Sequence, residues 1–255
     1  MIKKDELRRI AESKKLSVEN AEKDYLLEVL LFHIYSEFGD LLVLKGGTVM
    51  YKIYNLNRFS EDFDFTLNRR RFDLKRFLDK TIRSLSLIGI EGKIREIEKY
   101  KNEINVRLQF KGPLYDGSKE SLCFISLNIS LRERIVKEVK KEMIVPAYRE
   151  IPSFEIFAMD ESEIVAEKVR AIITRNKARD VYDLWFLLRK NAKPEINLIN
   201  KKLRIYNMKF SFEMLVKSIE EKKVFWRTDL RGLIIGELPE FEKIKKEIVS
   251  AFSKL

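Results

Sequence analysis

Two neighbouring stretches decide the fold: Leu41-Leu42-Val43-Leu44-Lys45-Gly46-Gly47-Thr48 and Phe59-Ser60-Glu61-Asp62-Phe63-Asp64-Phe65-Thr66-Leu67. The first reads as a short buried strand entering a tight turn at Gly46-Gly47, with a helix starting there and running over Thr48 to Tyr54. The second alternates strictly. Phe63, Phe65 and Leu67 face one way and Asp62, Asp64 and Thr66 the other, as in a half-buried strand with two carboxylates on its open face. Carboxylates at i and i+2 on a strand point the same way and are close enough to share divalent cations. A helix opening at two glycines offers backbone amides and the positive end of its dipole to a phosphate. Together these parts are suited to holding a metal–triphosphate and aligning its α-phosphorus for in-line attack. Read apart, they are solvated acids and an ordinary turn.

Working outward, residues 18–38 show apolar recurrence at helical spacing, with Asn20 as the candidate N-cap, and Leu74 to Leu87 reads as a second helix. Ile104–Phe110 and Leu122–Ser130 alternate and are expected to pair as a hairpin across the Gly112-Pro113 to Gly117-Ser118 loop. Beyond Pro146 and Pro152 the periodicity turns helical, over 160–175, 178–190, 195–206, 211–222 and 240–253. Phe225 to Ile235 fits neither pattern. The expected division is 1–150 and 151–255.

Composition excludes several classes. The 255 residues are 45% hydrophobic and 36% charged, enough for a core, so disorder is excluded. A single Cys123 forms no internal disulfide, and with only His33 there is no Cys/His zinc site. His33 lies in the apolar run Leu26 to Ile34 and reads as structural. No run approaches the ~18 apolar residues of a membrane span, and Met1 to Leu7 lacks a signal peptide's apolar region, so a cytoplasmic protein is expected. The net charge of +11 lies in the central and C-terminal parts and favours a polyanionic partner. No Gly-x-x-x-x-Gly-Lys-Ser/Thr run exists, and Lys45 precedes the glycines, which argues against a P-loop ATPase.

Lys23-Asp24-Tyr25, Leu44-Lys45-Gly46-Gly47-Thr48, Arg58-Phe59-Ser60-Glu61-Asp62-Phe63-Asp64-Phe65, Glu167-Lys168 and Arg179-Asp180-Val181-Tyr182-Asp183-Leu184 occur in this order. In these blocks the chain resembles the AbiEii/AbiGii toxin family of nucleotidyltransferases. The resemblance implies an α+β fold, with a polymerase-β-like nucleotidyltransferase domain on a mixed sheet followed by a helical C-terminal domain. It implies a toxin of a type IV toxin–antitoxin or abortive-infection system with a cognate antitoxin. Some related toxins add nucleotides to the 3′ end of tRNA. By the same resemblance Asp62 and Asp64 would bind magnesium and Gly46, Gly47 and Thr48 would lie against the NTP triphosphate. Lys168 would contact nucleotide phosphates, and Asp180 or Asp183 would position or deprotonate a nucleophile.

The residues bear on these roles separately. Lys168 and Arg175 share a helix face and can reach one anionic ligand, or form a solvated basic stripe. Asp180 can serve as an N-terminal dipole partner and Asp183 can pair with Arg179 one turn earlier. Arg58 can bind phosphate or brace the carboxylates, Ser60 can fix the turn, and Lys45 can reach the ligand. Where many nucleotidyltransferases place a third carboxylate, the best-placed strand offers Asn128 between Ser126 and Ser130. Asn cannot serve as an anionic base. The leading expectation is magnesium-dependent transfer of a nucleoside monophosphate from NTP to RNA, with tRNA foremost. The alternatives are a protein acceptor and a non-catalytic module binding nucleotide or RNA.

Overall fold

The alternating strands and amphipathic helices of the N-terminal half assemble in a computed structural model that describes residues 1–69, 71–132 and 134–254. The chain divides into two units. The first comprises Met1–Tyr54, Phe59–Ile135 and Val139–Ala158, and the second Asn55–Arg58, Val136–Glu138 and Met159–Leu255.

The first unit holds α1 (Lys4–Lys14), α2 (Val18–Phe38), β1 (Leu42–Lys45), α3 (Gly46–Lys52), β2 (Phe63–Leu67) and α4 (Leu74–Leu87). It continues with β3 (Glu91–Lys99), β4 (Glu103–Lys111), β5 (Cys123–Ser130), β6 (Lys140–Ile144) and β7 (Phe154–Ala158). The strands form one mixed seven-stranded sheet in the order β3-β4-β5-β2-β1-β7-β6. β2–β5 and β1–β7 are parallel and the other pairs antiparallel. The expected hairpin is β4–β5, with Phe110 opposite Cys123 and Glu103 opposite Ser130.

The alternation sorts the two faces of the sheet. Phe63, Phe65, Val106, Leu108, Ile125, Leu127 and Ile129 are buried, and α2 and α4 pack against strands of the sheet. Burying each such side chain contributes roughly 1.5–3 kcal/mol. α2 spans the expected residues, and its N-cap is Ser17, whose hydroxyl accepts from the amide of Asn20, the expected cap. His33 lies half-buried in α2, its pKa lowered by burial, in keeping with a structural role.

Three strands carry no clear sequence signal. β3 and β6 are the sheet edges and are dominated by Lys and Glu, charges that discourage edge-to-edge pairing and mask the apolar pattern. β7 lies past residue 150 yet pairs with β1 through Leu44 and Ala158, so the first unit extends to Ala158.

The second unit is helical, with α5 (Glu161–Thr174), α6 (Arg179–Arg189), α7 (Ile196–Leu203), α8 (Phe212–Glu221), α9 (Trp226–Leu230) and α10 (Phe241–Phe252). The unassigned Phe225 to Ile235 contains the short α9, whose Trp226 packs edge-on against Phe241. Among the described residues no helix is long and apolar enough to cross a membrane.

Candidate active site

In the first unit, β1 delivers the chain into the glycine turn beside β2, with Lys45 directly opposite Asp64. Gly46 has φ +68, and a Cβ built on it would lie 2.6 Å from Asp64 Oδ2. Both facts require glycine. Positive φ costs an L-residue about 1–2 kcal/mol, and any side chain would displace the carboxylate. Gly46→Ala is therefore expected to lower the thermal midpoint and to reduce transfer by about 100-fold through misplacement of Asp64. A retained rate would show that the close approach is unnecessary.

Asp62 and Asp64 each lean on β5. The Ser126 amide donates to Asp62 Oδ1 at 3.0 Å, and Asn128 Nδ2 donates to Asp64 Oδ1 at 3.2 Å. Asn128 is the cross-strand partner of Asp64 and occupies the place considered for a third carboxylate. Burial raises the Asp62 carboxyl above its ordinary pKa, the Ser126 bond works against this, and the Glu61 and Asp64 charges add to it. Such a carboxyl gains most from a nearby cation.

Thr48 and Ser60 are buried, and their hydroxyls lie 3.0 Å apart in a shared hydrogen bond. The Thr48 hydroxyl also donates to the Asp62 carbonyl. This bond fixes the start of the Asp-x-Asp strand to α3. The far end of α3 is held too. Lys52 Nζ sits 2.5 Å from Asp24 Oδ1 and 2.6 Å from Glu28 Oε1, Lys14 reaches Asp24 at 2.6 Å, and Tyr148 donates to Asp24 at 2.9 Å. Burial opposes ionisation of Asp24, but Lys52 and Lys14 prevail and hold its carboxyl at about 2. Lys23 pairs with Glu61 at 2.7 Å, next to Asp62. Asp24, Glu28 and Lys52 thus set the position of α3, a role that only the long-range fold reveals.

The donor set suits a hard cation. The carboxylates of Asp64 on β2 and of Asp62 just before it retain lone pairs beyond their bonds to β5. Among the described residues no group of three or more His, Cys, Asp or Glu could hold a metal. Magnesium commonly binds one or two carboxylates and completes its shell with waters and substrate phosphates.

The second unit gathers the other expected site residues. Arg58 clasps Asp183 with Nε–Oδ1 and Nη2–Oδ2 distances of 2.9 Å. Lys168 Nζ lies 2.6 Å from Asp183 and 3.0 Å from Asp180, and Arg175 closes on Asp180 at 2.7 and 2.8 Å. Asp180 is thus an anion that Lys168 and Arg175 both reach. Both Asp side chains are fully buried. Burial opposes their ionisation, yet Lys168 and Arg175 around Asp180, and Arg58 and Lys168 around Asp183, hold both carboxyls below the usual range. Arg58, the alternative brace for Asp62 and Asp64, is matched to Asp183.

A mixed sheet with Asp64 of an Asp-x-Asp pair seated against a Gly-Gly turn is the arrangement expected of a nucleotidyltransferase. The chain belongs to the family described as nucleotidyl transferase AbiEii toxin, type IV TA system, whose model matches residues 29–247. It is therefore a nucleotidyltransferase toxin, and membership brings with it a nucleotide substrate and a cognate antitoxin. Uncharacterized protein aq_aa25 of Aquifex aeolicus (strain VF5) is 29% identical over 205 residues, which span 78% of this chain and 80% of that protein. The fold is shared with MenT4, a nucleotidyltransferase toxin of Mycobacterium tuberculosis H37Rv. That match has a TM-score of 0.69 and 16% identity, over 99% of this chain and 89% of the other. JHP933 from Helicobacter pylori matches with a TM-score of 0.61 and 20% identity, over 94% and 92% of the two chains.

Proposed function

We propose that the protein transfers a nucleoside monophosphate from an NTP to RNA in the presence of magnesium, with the 3′ end of tRNA as acceptor. The observation that carries this reading is that Asp64 abuts Gly46 and faces Asn128 of β5, while Asp62, two residues earlier, accepts from the Ser126 amide of the same strand. Asp62 and Asp64 would hold the magnesium, which when bound would offset charge on the phosphate oxygens. Gly46 and Gly47 let the backbone approach the triphosphate, with Lys45 beside them, while Thr48 and Ser60 lock the strand that carries the acids. The acceptor 3′-hydroxyl oxygen bonds to the α-phosphorus as the bond to the bridging oxygen breaks. Pyrophosphate leaves with that electron pair, and the hydroxyl proton passes to water, since Asn128 has no anionic group to receive it.

Lys168 and Arg175 are cations of a charged cluster within the second unit. Asp180 and Asp183, with Arg58, keep those cations charged and oriented, a positioning role suited to carboxylates that are themselves buried and paired. The net charge of +11 favours RNA over a protein acceptor.

The test is incubation of the purified protein with total tRNA, magnesium and each α-labelled NTP in turn. Label is expected in tRNA with wild type and none with an Asp62→Asn/Asp64→Asn variant. Label on protein instead would transfer the assignment to a nucleotidylating enzyme that modifies Ser, Thr or Tyr.

A further inference from the structure

The open face of the sheet continues past the carboxylates. Reading the register across strands, Asp64 stands beside Asn128, and Asn128 beside Asn105. One step along, the Ser126 amide that binds Asp62 belongs to the residue paired with Arg107. The next pair is Phe124 with Gln109, and Gln109 pairs in turn with Lys93. All these residues share one face, because facing partners in a ladder point the same way.

That face carries aromatic rings and cations, with the carboxylates Glu91, Glu96 and Glu98 of β3 opposite Lys111, Arg107 and Asn105. The Arg107 guanidinium lies over the half-buried Phe124 ring, 4.9 Å from its centroid. Farther out on β4, Lys111 Nζ lies 5.4 Å from the centroid of Tyr115. Arg107 is exposed and forms no ion pair among the described residues, although Glu96 is its partner across β3. Lys111 does pair with Glu91. Asn105 Oδ1 is buried without a hydrogen-bond partner in the same row as Asp64 and Asn128. Arg107 and Lys111 are four residues apart on one strand, so the two cation–aromatic pairs lie about 13 Å apart. That spacing exceeds the separation of successive nucleotides along one strand of a double helix, about 3.4 Å.

We propose that Phe124 with Arg107, followed by Tyr115 with Lys111, forms a stacking track for the single-stranded end of the RNA acceptor, leading it to Asp62 and Asp64. This rests on the RNA-transferase reading above. Its length selects a strand rather than the base of one nucleotide. Sequence-tolerant binding of this kind combines aromatic platforms with cations for the backbone.

The experiment measures binding, without turnover, of a fluorescein-labelled unstructured 12-mer oligoribonucleotide by anisotropy at fixed salt, and of each NTP by calorimetry. Phe124→Leu and Arg107→Gln, which keep bulk and polarity respectively, are each expected to weaken the 12-mer about five- to 100-fold. NTP affinity and the thermal midpoint should stay unchanged, and Phe124→Trp should retain the RNA affinity. Unchanged 12-mer binding in both variants would overturn the track. A loss shared equally with NTP would also overturn it, since it would mark a mononucleotide site. Wild type that binds the 12-mer through Phe124 but labels no RNA would support the track while removing the transferase reading. Labelled RNA with Phe124-independent binding would do the reverse.

Discussion

Asp62→Asn is expected to lower nucleotide transfer by at least about 10³-fold, the loss of several kcal/mol of charge stabilisation at the phosphate oxygens. The fold should hold. Asn keeps an oxygen that accepts from the Ser126 amide, and it removes a carboxyl whose folded pKa is raised, so ionisation there costs stability above that pKa. The urea midpoint should be equal to wild type or slightly higher. The same shift gives a sign for metal binding: protons and cation compete for Asp62, so magnesium affinity should fall as the pH drops through its raised pKa. Label incorporation and denaturation of the same preparation check both halves. Wild-type transfer by this variant would remove Asp62 from the site.

Asp183→Ala should instead cost stability, about 3–5 kcal/mol, because it strands a buried Arg58 and a buried Lys168 without their shared anion. The sign follows from the pKa as well. Asp183 is held below the ordinary carboxylate value, so its contribution is present above the unfolded pKa of about 3.9 and is lost as the pH falls through the folded value. Chemical denaturation of wild type and variant at neutral pH measures the difference. A variant with wild-type stability and no transfer would make Asp183 a base and not a positioning residue.

The parts of the fold that alternate or recur plainly were legible in the residues. Phe63-Asp64-Phe65 announces a strand with its acids on the open face, and Leu74 to Leu87 carries a clear helical stripe. β3 and β6 were not legible because edge strands mask their pattern with charge, and β7 because its signal is five residues long just after Pro152. At the site, the adjacency of Gly46 and Asp64 could be anticipated from the motif, but the reason for glycine, a carboxylate oxygen in the space of its missing Cβ, required coordinates. The partners of Arg58 and Lys168 lay 125 and 15 residues away on α6, a separation that no local rule resolves. Phe124 and Arg107 read from sequence only as members of alternating strands. Their stacking depends on register, which the turn and the core select jointly.

The amide at position 128 has a consequence for when the protein acts. With Asn beside Asp64, the pocket carries two negative charges where a three-acid site would carry three. If it is the cation site proposed above, so lightly charged a pocket would hold a hard cation weakly by itself and firmly once a triphosphate contributes oxygens. Cation and nucleotide then raise each other's apparent affinity reciprocally. In the site proposed above, the pocket would act as a coincidence detector, filling when cation and nucleotide are both abundant.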